Sequence, residues 1–451
     1  MFQYKSLLFQ GWSWLFWTVA GAGFLPLTAM AQSVLSLQEA TEIALAENQQ
    51  LKLLGYDRQI SQNQIDPAFA GIGPQIILQG SIYYGWADSK AETIPLGPAT
   101  EPQAPFELSG VRHGVVLQPE ANWLVYDGGA GQLRLDQLRL ADEATALAIE
   151  NVREQVVAQV TQAYLGAASL EQQLYLAEEN IDLSAERLAR AERDTRYGTG
   201  NSLRRLQAQV DLNTDSVAYQ QLELALENAK RDINFLLGRP PNTIFLLSVP
   251  QGLGPSYQYE QLATDLLTSN ENLAQAKQRI ALSEKAAELT EISFRPNVQL
   301  YANLQYVNTT DNANFLLANR TLGTEAGVRA SYTLYDGGLR KINRQNAKIN
   351  LERSRLDREA IELELLTRLQ QAYANYQNNL RQLAFERNNL ATFELNYEKS
   401  QTDYRLGQVE ATVLRTAQVN LNAAKIRITL REFSVREAEV ELLRLAGRLV
   451  D

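Results

Sequence analysis

The hexapeptide Leu-Val-Tyr-Asp-Gly-Gly at 124–129 returns as Thr-Leu-Tyr-Asp-Gly-Gly at 333–338. Each copy closes a segment of period-two alternation and opens a helical pattern of about seventy residues. Other segments keep the same 209-residue offset: Gln162-Ala163-Tyr164 with Gln371-Ala372-Tyr373, Ala208-Gln209-Val210 with Ala417-Gln418-Val419, and Leu237-Gly238-Arg239 with Ala446-Gly447-Arg448. Upstream, Asn48 and Pro74 answer Asn270 and Pro296 at an offset of 222. The difference lies in the loop between the two strands of each half, which is thirteen residues longer in the first. A repeat of this length is no short solenoid unit. It makes two equivalent halves, each a strand-to-helix unit.

The strands alternate. Val298, Leu300, Ala302, Leu304 and Tyr306 interleave with Gln299, Tyr301, Asn303 and Gln305, and Ala326, Val328, Ala330, Tyr332 and Leu334 with Glu325, Arg329, Ser331 and Thr333. The first half matches with Ile76, Leu78, Ile82, Tyr84 and Trp86, then Val111, Val115, Leu117, Trp123 and Val125. About ten residues per strand is the length that crosses a bilayer at a tilt. A soluble sheet with one face on a core gives the same alternation. Four strands cannot close a barrel with a lumen, so a membrane reading requires several chains to share one barrel.

The helical stretches run in heptads. Val156, Val160, Ala163, Ala167, Leu170, Leu174, Ala177, Ile181 and Leu188 follow a 4-3 spacing, and Leu369, Tyr376, Leu383, Leu390, Tyr397 and Tyr404 a strict seven-residue step beside Leu366, Tyr373 and Leu380. Such rows make coiled-coil seams. At seventy residues a helix is roughly 100 Å long, more than a globular domain can bury. Turns at Tyr197-Gly198-Thr199-Gly200-Asn201 and Tyr404-Arg405-Leu406-Gly407-Gln408 send a second helix back in each half. Shorter helices over 36–65 and 259–292 lead to Pro74 and Pro296, expected to stop a helix and start a strand. A Pro-rich segment, with a short strand expected at Thr243–Leu247, separates the halves.

Composition narrows the function. A formal charge of −10 without a long basic run argues against nucleic-acid binding. With no Cys and one His, disulfides, thiolate chemistry, Cys/His zinc sites and His-based triads are all removed. No carboxylate pair or nucleophile-base set stands out, and Gly198-x-Gly200 lacks the Lys-Ser/Thr of a phosphate loop. The chain is therefore expected to be no enzyme and to need no cofactor or metal. His113, on the apolar face of a strand near a loop, reads as an interfacial residue rather than a metal ligand. Residues 1–31 carry Lys5, an apolar run and Ala29-Met30-Ala31, the pattern of a cleaved secretory signal, with an N-terminal anchor as the alternative.

The ordered set, appearing twice, of helix, strand hairpin, Tyr-Asp-Gly-Gly and long helical hairpin, with Leu-Gly-Arg closing the first copy, resembles the TolC family of outer-membrane efflux proteins over essentially the whole mature chain. The resemblance implies an α+β membrane protein, a duplicated β-hairpin plus coiled-coil helical hairpin. Three protomers would form a twelve-stranded outer-membrane β-barrel on a periplasmic α-helical tube. The segments would be a signal peptide (1–31), periplasmic helix (32–73), transmembrane β-hairpin (74–126), helical hairpin (127–238), linker (239–258), second periplasmic helix (259–295), second β-hairpin (296–335) and second helical hairpin (336–451). It also implies a homotrimer in outer-membrane lipid that meets a periplasmic adaptor and an inner-membrane transporter, serving efflux or type I protein secretion.

Carried over by position, Asp127, Gly128, Gly129, Asp336, Gly337 and Gly338, with Pro74 and Pro296, mark the barrel-tube junction. There each Asp is suited to cap a helix and the glycines to relieve crowding. Tyr197, Gly198, Thr199, Gly200, Tyr404, Leu406 and Gly407 fall at the periplasmic tips that dock an adaptor. The acidic Asp-Val-Leu stretch frequent in the family is replaced by Leu203-Arg204-Arg205-Leu206 and Thr412-Val413-Leu414-Arg415. Two readings stay open for Arg204, Arg205 and Arg415: a less negative, anion-favouring aperture, or arginines paired with carboxylates on neighbouring helices. The competing function is an exported trimeric coiled coil with a soluble head, structural or adhesive. It explains the heptads but not the doubled, bilayer-length hairpins.

Overall fold

The computed structural model describes residues 34–91, 106–198, 201–248, 252–314 and 317–449. The expected signal peptide and the tip residues Thr199 and Gly200 lie outside the described residues. The first half runs β1 (Val34–Leu35), α1 (Leu37–Glu47), α2 (Gln49–Asn63), β2 (Gln75–Ala91), β3 (Phe106–Tyr126), α3 (Ala130–Arg196) and α4 (Ser202–Leu236). The second runs β4 (Leu246–Leu247), α5 (Tyr259–Ser269), α6 (Glu271–Ile292), β5 (Asn297–Asp311), β6 (Ala318–Ser331), α7 (Leu339–Arg405) and α8 (Ala411–Leu445).

Each short helix expected as one piece is instead two, broken at Asn48 and at Asn270. Both asparagines leave the helical conformation, with ψ of 126° and 124°. The Asn48 side-chain oxygen accepts from the N–H groups of Gln50 and Leu51, and that of Asn270 from Asn272 and Leu273. The amide nitrogens donate the other way, Asn48 to the Leu236 carbonyl at 3.1 Å and Asn270 to the Leu445 carbonyl at 3.0 Å. One side chain thus satisfies donors at one helix start and an acceptor in the last turn of another. Gly238 and Gly447 follow those ends with φ of 67° and 69°. A Cβ there would lie 2.9 Å from the Glu47 carbonyl oxygen and 2.6 Å from that of Ser269. Left-handed backbone and close approach both require glycine.

Another expectation changes at the prolines. Pro74 and Pro296 directly precede β2 and β5, but α2 already ends at Asn63, ahead of Pro67, whose ring cannot continue a helix.

The four long strands form one antiparallel sheet in the order β2-β3-β5-β6. They are longer than the ten residues expected, at 17, 21, 15 and 14. Tyr332 and Leu334 fall beyond the end of β6, because Ser331 pairs with Asn297 and the preceding residue on the neighbouring strand is Pro296, which has no N–H to offer. Below the sheet the helices stand side by side in the same order, α2 on α3, α3 on α6 and α6 on α7, while α4 and α8 pack back on α3 and α7. A tie near the middle joins the halves: β1 and β4 pair in parallel, and the buried Tyr164 hydroxyl accepts from Ser248 N–H at 2.9 Å and lies 2.7 Å from the Leu35 carbonyl. Only Leu246–Leu247 of the strand expected at 243–247 enters that pairing. The two main cores are centred on Val160, Tyr164 and Ile233 and on Leu369, Tyr376 and Leu442.

Candidate functional site

Cross-strand register gathers the apolar rows of all four strands on one face. Ile82 pairs with Val115, Leu117 with Tyr306 and Tyr306 with Leu322, and further along Ile76 pairs with Ala121, Ala121 with Ala302 and Ala302 with Ala326. Among the described residues nothing covers this face: Ile76, Leu78, Ile82 and Tyr84 are each at least 70% exposed. A continuous apolar sheet face of this width is unstable in water and matches the hydrocarbon of a bilayer. A soluble adhesive head would leave it bare. His113 sits on this face, stacked on Tyr84 with ring centroids 6.4 Å apart.

The opposite face is polar, with Gln79, Ser81, Gln118, Asn303 and Gln305 in register. Two tyrosines there lie across glycines of the neighbouring strand, Tyr83 over Gly114 and Tyr301 over Gly327. The Arg112 guanidinium sits 5.5 Å from the Tyr83 ring centre, and that of Arg329 4.9 Å from Tyr301, whose hydroxyl donates to Glu325 at 2.7 Å. The glycines leave room for the rings and the arginines stack on them, which pins register. Sequence reasoning missed these pairs. The available signal was a tyrosine in each polar row.

At the junctions the duplicated motif does the same work twice. Asp127 accepts from the N–H of Gly129 and Gly131 and from Arg134 at 2.8 Å, while Asp336 accepts from the N–H of Gly338 and of Arg340. A carboxylate at the first turn satisfies free amides and complements the helix dipole. All four motif glycines have positive φ. Their surroundings differ. A Cβ on Gly128 would strike Arg295, whose guanidinium donates to the Gly128 carbonyl at 2.9 Å, whereas Gly337 and Gly338 face open space.

At the far end, Tyr197 and Leu406 are exposed, and Gly198 and Gly407 turn the chain with φ of 74° and 75°. Tyr404 is not part of the exposed turn. It lies in the last turn of α7, half-buried, with Arg190 of α3 5.8 Å from its ring centre. Arg415, in the first turns of α8, reaches across to the first hairpin and grips Asp215 of α4 with both terminal nitrogens, at 2.7 and 2.9 Å. Ser184 of α3 donates to the same carboxylate, Arg187 donates to Ser184, and both arginines approach Asp211. Burial first, and the adjoining Arg415 charge second, lower the Arg187 pKa from its ordinary value. Farther along, Gln418 donates to Asn180 and Lys425 pairs with Glu179. For Arg415, then, the paired reading holds. Arg204 and Arg205 are exposed and form no ion pair among the described residues. Arg204, Tyr404, Thr412 and Arg415 help line a cavity of about 330 Å³ between the two hairpins.

A family model described as "Outer membrane efflux protein" matches residues 40–239 and 262–448. Protein CyaE of Bordetella pertussis is 27% identical over 394 residues, covering 81% of this chain and 80% of that protein. The proteases secretion protein PrtF of Dickeya chrysanthemi is 21% identical over 339 residues, covering 74% of this chain and 71% of that protein. Among solved structures, that of CusC aligns with a TM-score of 0.70 at 17% identity, over 91% of this chain and 92% of that one, which speaks to the fold.

Proposed function

Since the chain belongs to the outer membrane efflux protein family and is an exit duct of the outer membrane, extending into the periplasm, rather than an enzyme, we propose that three copies close that duct. The observation that carries this is a coincidence of open sides. The sheet ends in β2 on one flank and β6 on the other, and the helical layer ends in α2 and α7 on the same two flanks. Adding the β2–α2 flank of one copy to the β6–α7 flank of the next satisfies both layers at once. Such a head-to-tail contact closes into a ring. Three copies of four strands give twelve, enough for a barrel with an open lumen. Pairing also removes the exposed strand edges.

The polar sheet face then lines the pore and the apolar face meets lipid. With no catalysis of its own, the duct relies on an inner-membrane transporter for energy and on a periplasmic adaptor that docks at the tips, Tyr197-Gly198 and Leu406-Gly407. The Arg415 link to Asp215 holds the second hairpin against the first near the narrow end. Its charge is matched there, which leaves Arg204 and Arg205 as the cations that bias the field at the aperture. The likeness to PrtF favours protein secretion over small-molecule efflux as the duct's task.

The test is planar-bilayer conductance of the detergent-extracted protein, with its mass measured in parallel. Discrete channels from a species of three chains support the duct. A monomer without channel activity sinks it. Reversing Arg204 and Arg205 to Glu should shift ion selectivity toward cations, and unchanged selectivity would remove them from the aperture.

A further inference from the structure

The duplication allows the contact between neighbouring copies to be read from contacts inside one chain. Positions in β3, α3 and α4 map onto β6, α7 and α8 by adding 209, and positions in α1, α2 and β2 map onto α5, α6 and β5 by adding 222. The rule holds in space. It converts the pairing of Ile76 with Ala121 into that of Val298 with Ala330, the bond from Asn48 to Leu236 into that from Asn270 to Leu445, and the approach of Gly238 to Glu47 into that of Gly447 to Ser269, all of which are present.

Contacts that run from the first half to the second, α3 to α6, have no counterpart among the described residues, and in a ring their image leads from α7 to the α2 of another copy. Within the chain that seam is fixed by Glu143 with Gln278, Asn151 with Asn272 and Gly129 beside Ile292. The image of the first pair is Glu352 of one copy opposite Tyr56 of the next. Antiparallel helices then set Leu356 opposite Leu53 and Ile349 opposite Ile60. Both rows are apolar and bare: Leu53, Tyr56 and Ile60 on α2, and Ile342, Ile349, Leu356 and Leu363 on α7, are all between 55% and 69% exposed. The α7 row steps by seven and lies opposite the face that meets α6 through Arg344, Ser354 and Arg355. Heptad spacing on a helix flank is what a facing helix requires.

We infer that α7 and the α2 of the adjacent copy form an apolar seam in this register, with Leu356 against Leu53 and Ile349 against Ile60. It is the between-chain counterpart of the α3–α6 seam found inside each chain. The inference rests on the ring of identical chains proposed above. The same mapping sets β6 against the neighbouring β2 with Ala326 opposite Tyr84 and Ala330 opposite Gly80, which keeps the apolar rows of both strands on one face.

The chain has no cysteine, so engineered pairs report without background. The full-length membrane protein carrying Leu53→Cys with Leu356→Cys, or Ile60→Cys with Ile349→Cys, is oxidised in native membranes and run on non-reducing gels. The mismatched pair Ile60→Cys with Leu356→Cys stands one heptad, about 10 Å, out of register. Mass in detergent is measured on the same samples. Chain-to-chain crosslinks from both matched pairs and none from the mismatched pair establish the seam. A species of three chains in which the matched pairs stay uncrosslinked, or the mismatched pair links equally well, overturns this register and leaves the ring standing. A monomer in detergent that never crosslinks overturns the ring and the seam together.

Discussion

Helices α3 and α7 are sequence repeats of one another and both span 67 residues, yet α3 buries fifteen of them and α7 four. The difference lies in position. Helix α3 sits inside the layer, with α2 on one side, α6 on the other and α4 and α8 behind, whereas α7 ends the layer beyond α6. The same holds at their first turns, where Gly128 is pressed by Arg295 and Gly337 is open. Two segments with the same fold instructions therefore differ in what the rest of the chain supplies. The half-dressed one marks the flank on which the proposed ring sets the next copy.

If that comparison is right, equivalent changes in the two halves should act alike wherever the surroundings are duplicated and differ wherever they are not. The largest effect is expected on the apolar sheet face, where Ile82 and its repeat Leu304 both stand and which the proposed barrel turns toward lipid. Arginine at either position should cost about 2–4 kcal/mol per chain near the bilayer midplane. The protein recovered in the outer-membrane fraction should fall to a small share of wild type for both. A strong effect for one alone would break the equivalence. The polar-face change Gln305→Arg should leave assembly intact and alter conductance.

At the tip, Arg415→Ala strands the Asp215 carboxylate, which is only 12% exposed. Removing one partner of so enclosed a pair costs about 3 kcal/mol. Because the link joins the two hairpins, single-channel conductance should rise. Arg427→Ala breaks the more exposed pair with Glu386 inside the second hairpin, worth about 0–1 kcal/mol, and should leave conductance unchanged. Equal effects would mean that the inter-hairpin link does not hold the tip.

The helix ends sharpen the comparison further. Alanine at Gly238 or Gly447 must take a left-handed backbone, which costs about 1–3 kcal/mol. The closer approach at Gly447, 2.6 Å against 2.9 Å, predicts the larger fall in unfolding temperature there. Smallest is the loss of the asparagine clamps. Each Asn→Ala change removes a cap worth about 1 kcal/mol, and Asn270→Ala should exceed Asn48→Ala. Asn270 is buried and its Leu445 partner loses its donor without water to replace it, whereas Asn48 is half-buried. Thermal unfolding in detergent ranks all four variants.

Much of the fold was legible because its signals are local. The alternation from Ile76 to Trp86 and from Val298 to Tyr306, the heptads from Leu369 to Tyr404 and the repeated Asp-Gly-Gly each declare an element within a short window. The breaks at Asn48 and Asn270 were less so: an asparagine inside a helical pattern reads as tolerated until the carbonyls of Leu236 and Leu445 come within reach of its amide, 188 and 175 residues away. For Arg415 the sequence left two readings open, and Asp215, two hundred residues upstream, decided between them. The Tyr83–Gly114 and Tyr301–Gly327 pairs were missed for the same reason, since strand register alone brings ring and glycine together.

By itself, then, the sequence determined the duplication, the element types and the two-faced strands, because periodicity follows from backbone geometry. Tertiary structure alone decided which flanks stay open, which arginine is neutralised and which glycines cannot change. Those depend on what lies within a few ångströms across the fold, and no spacing along the chain records it.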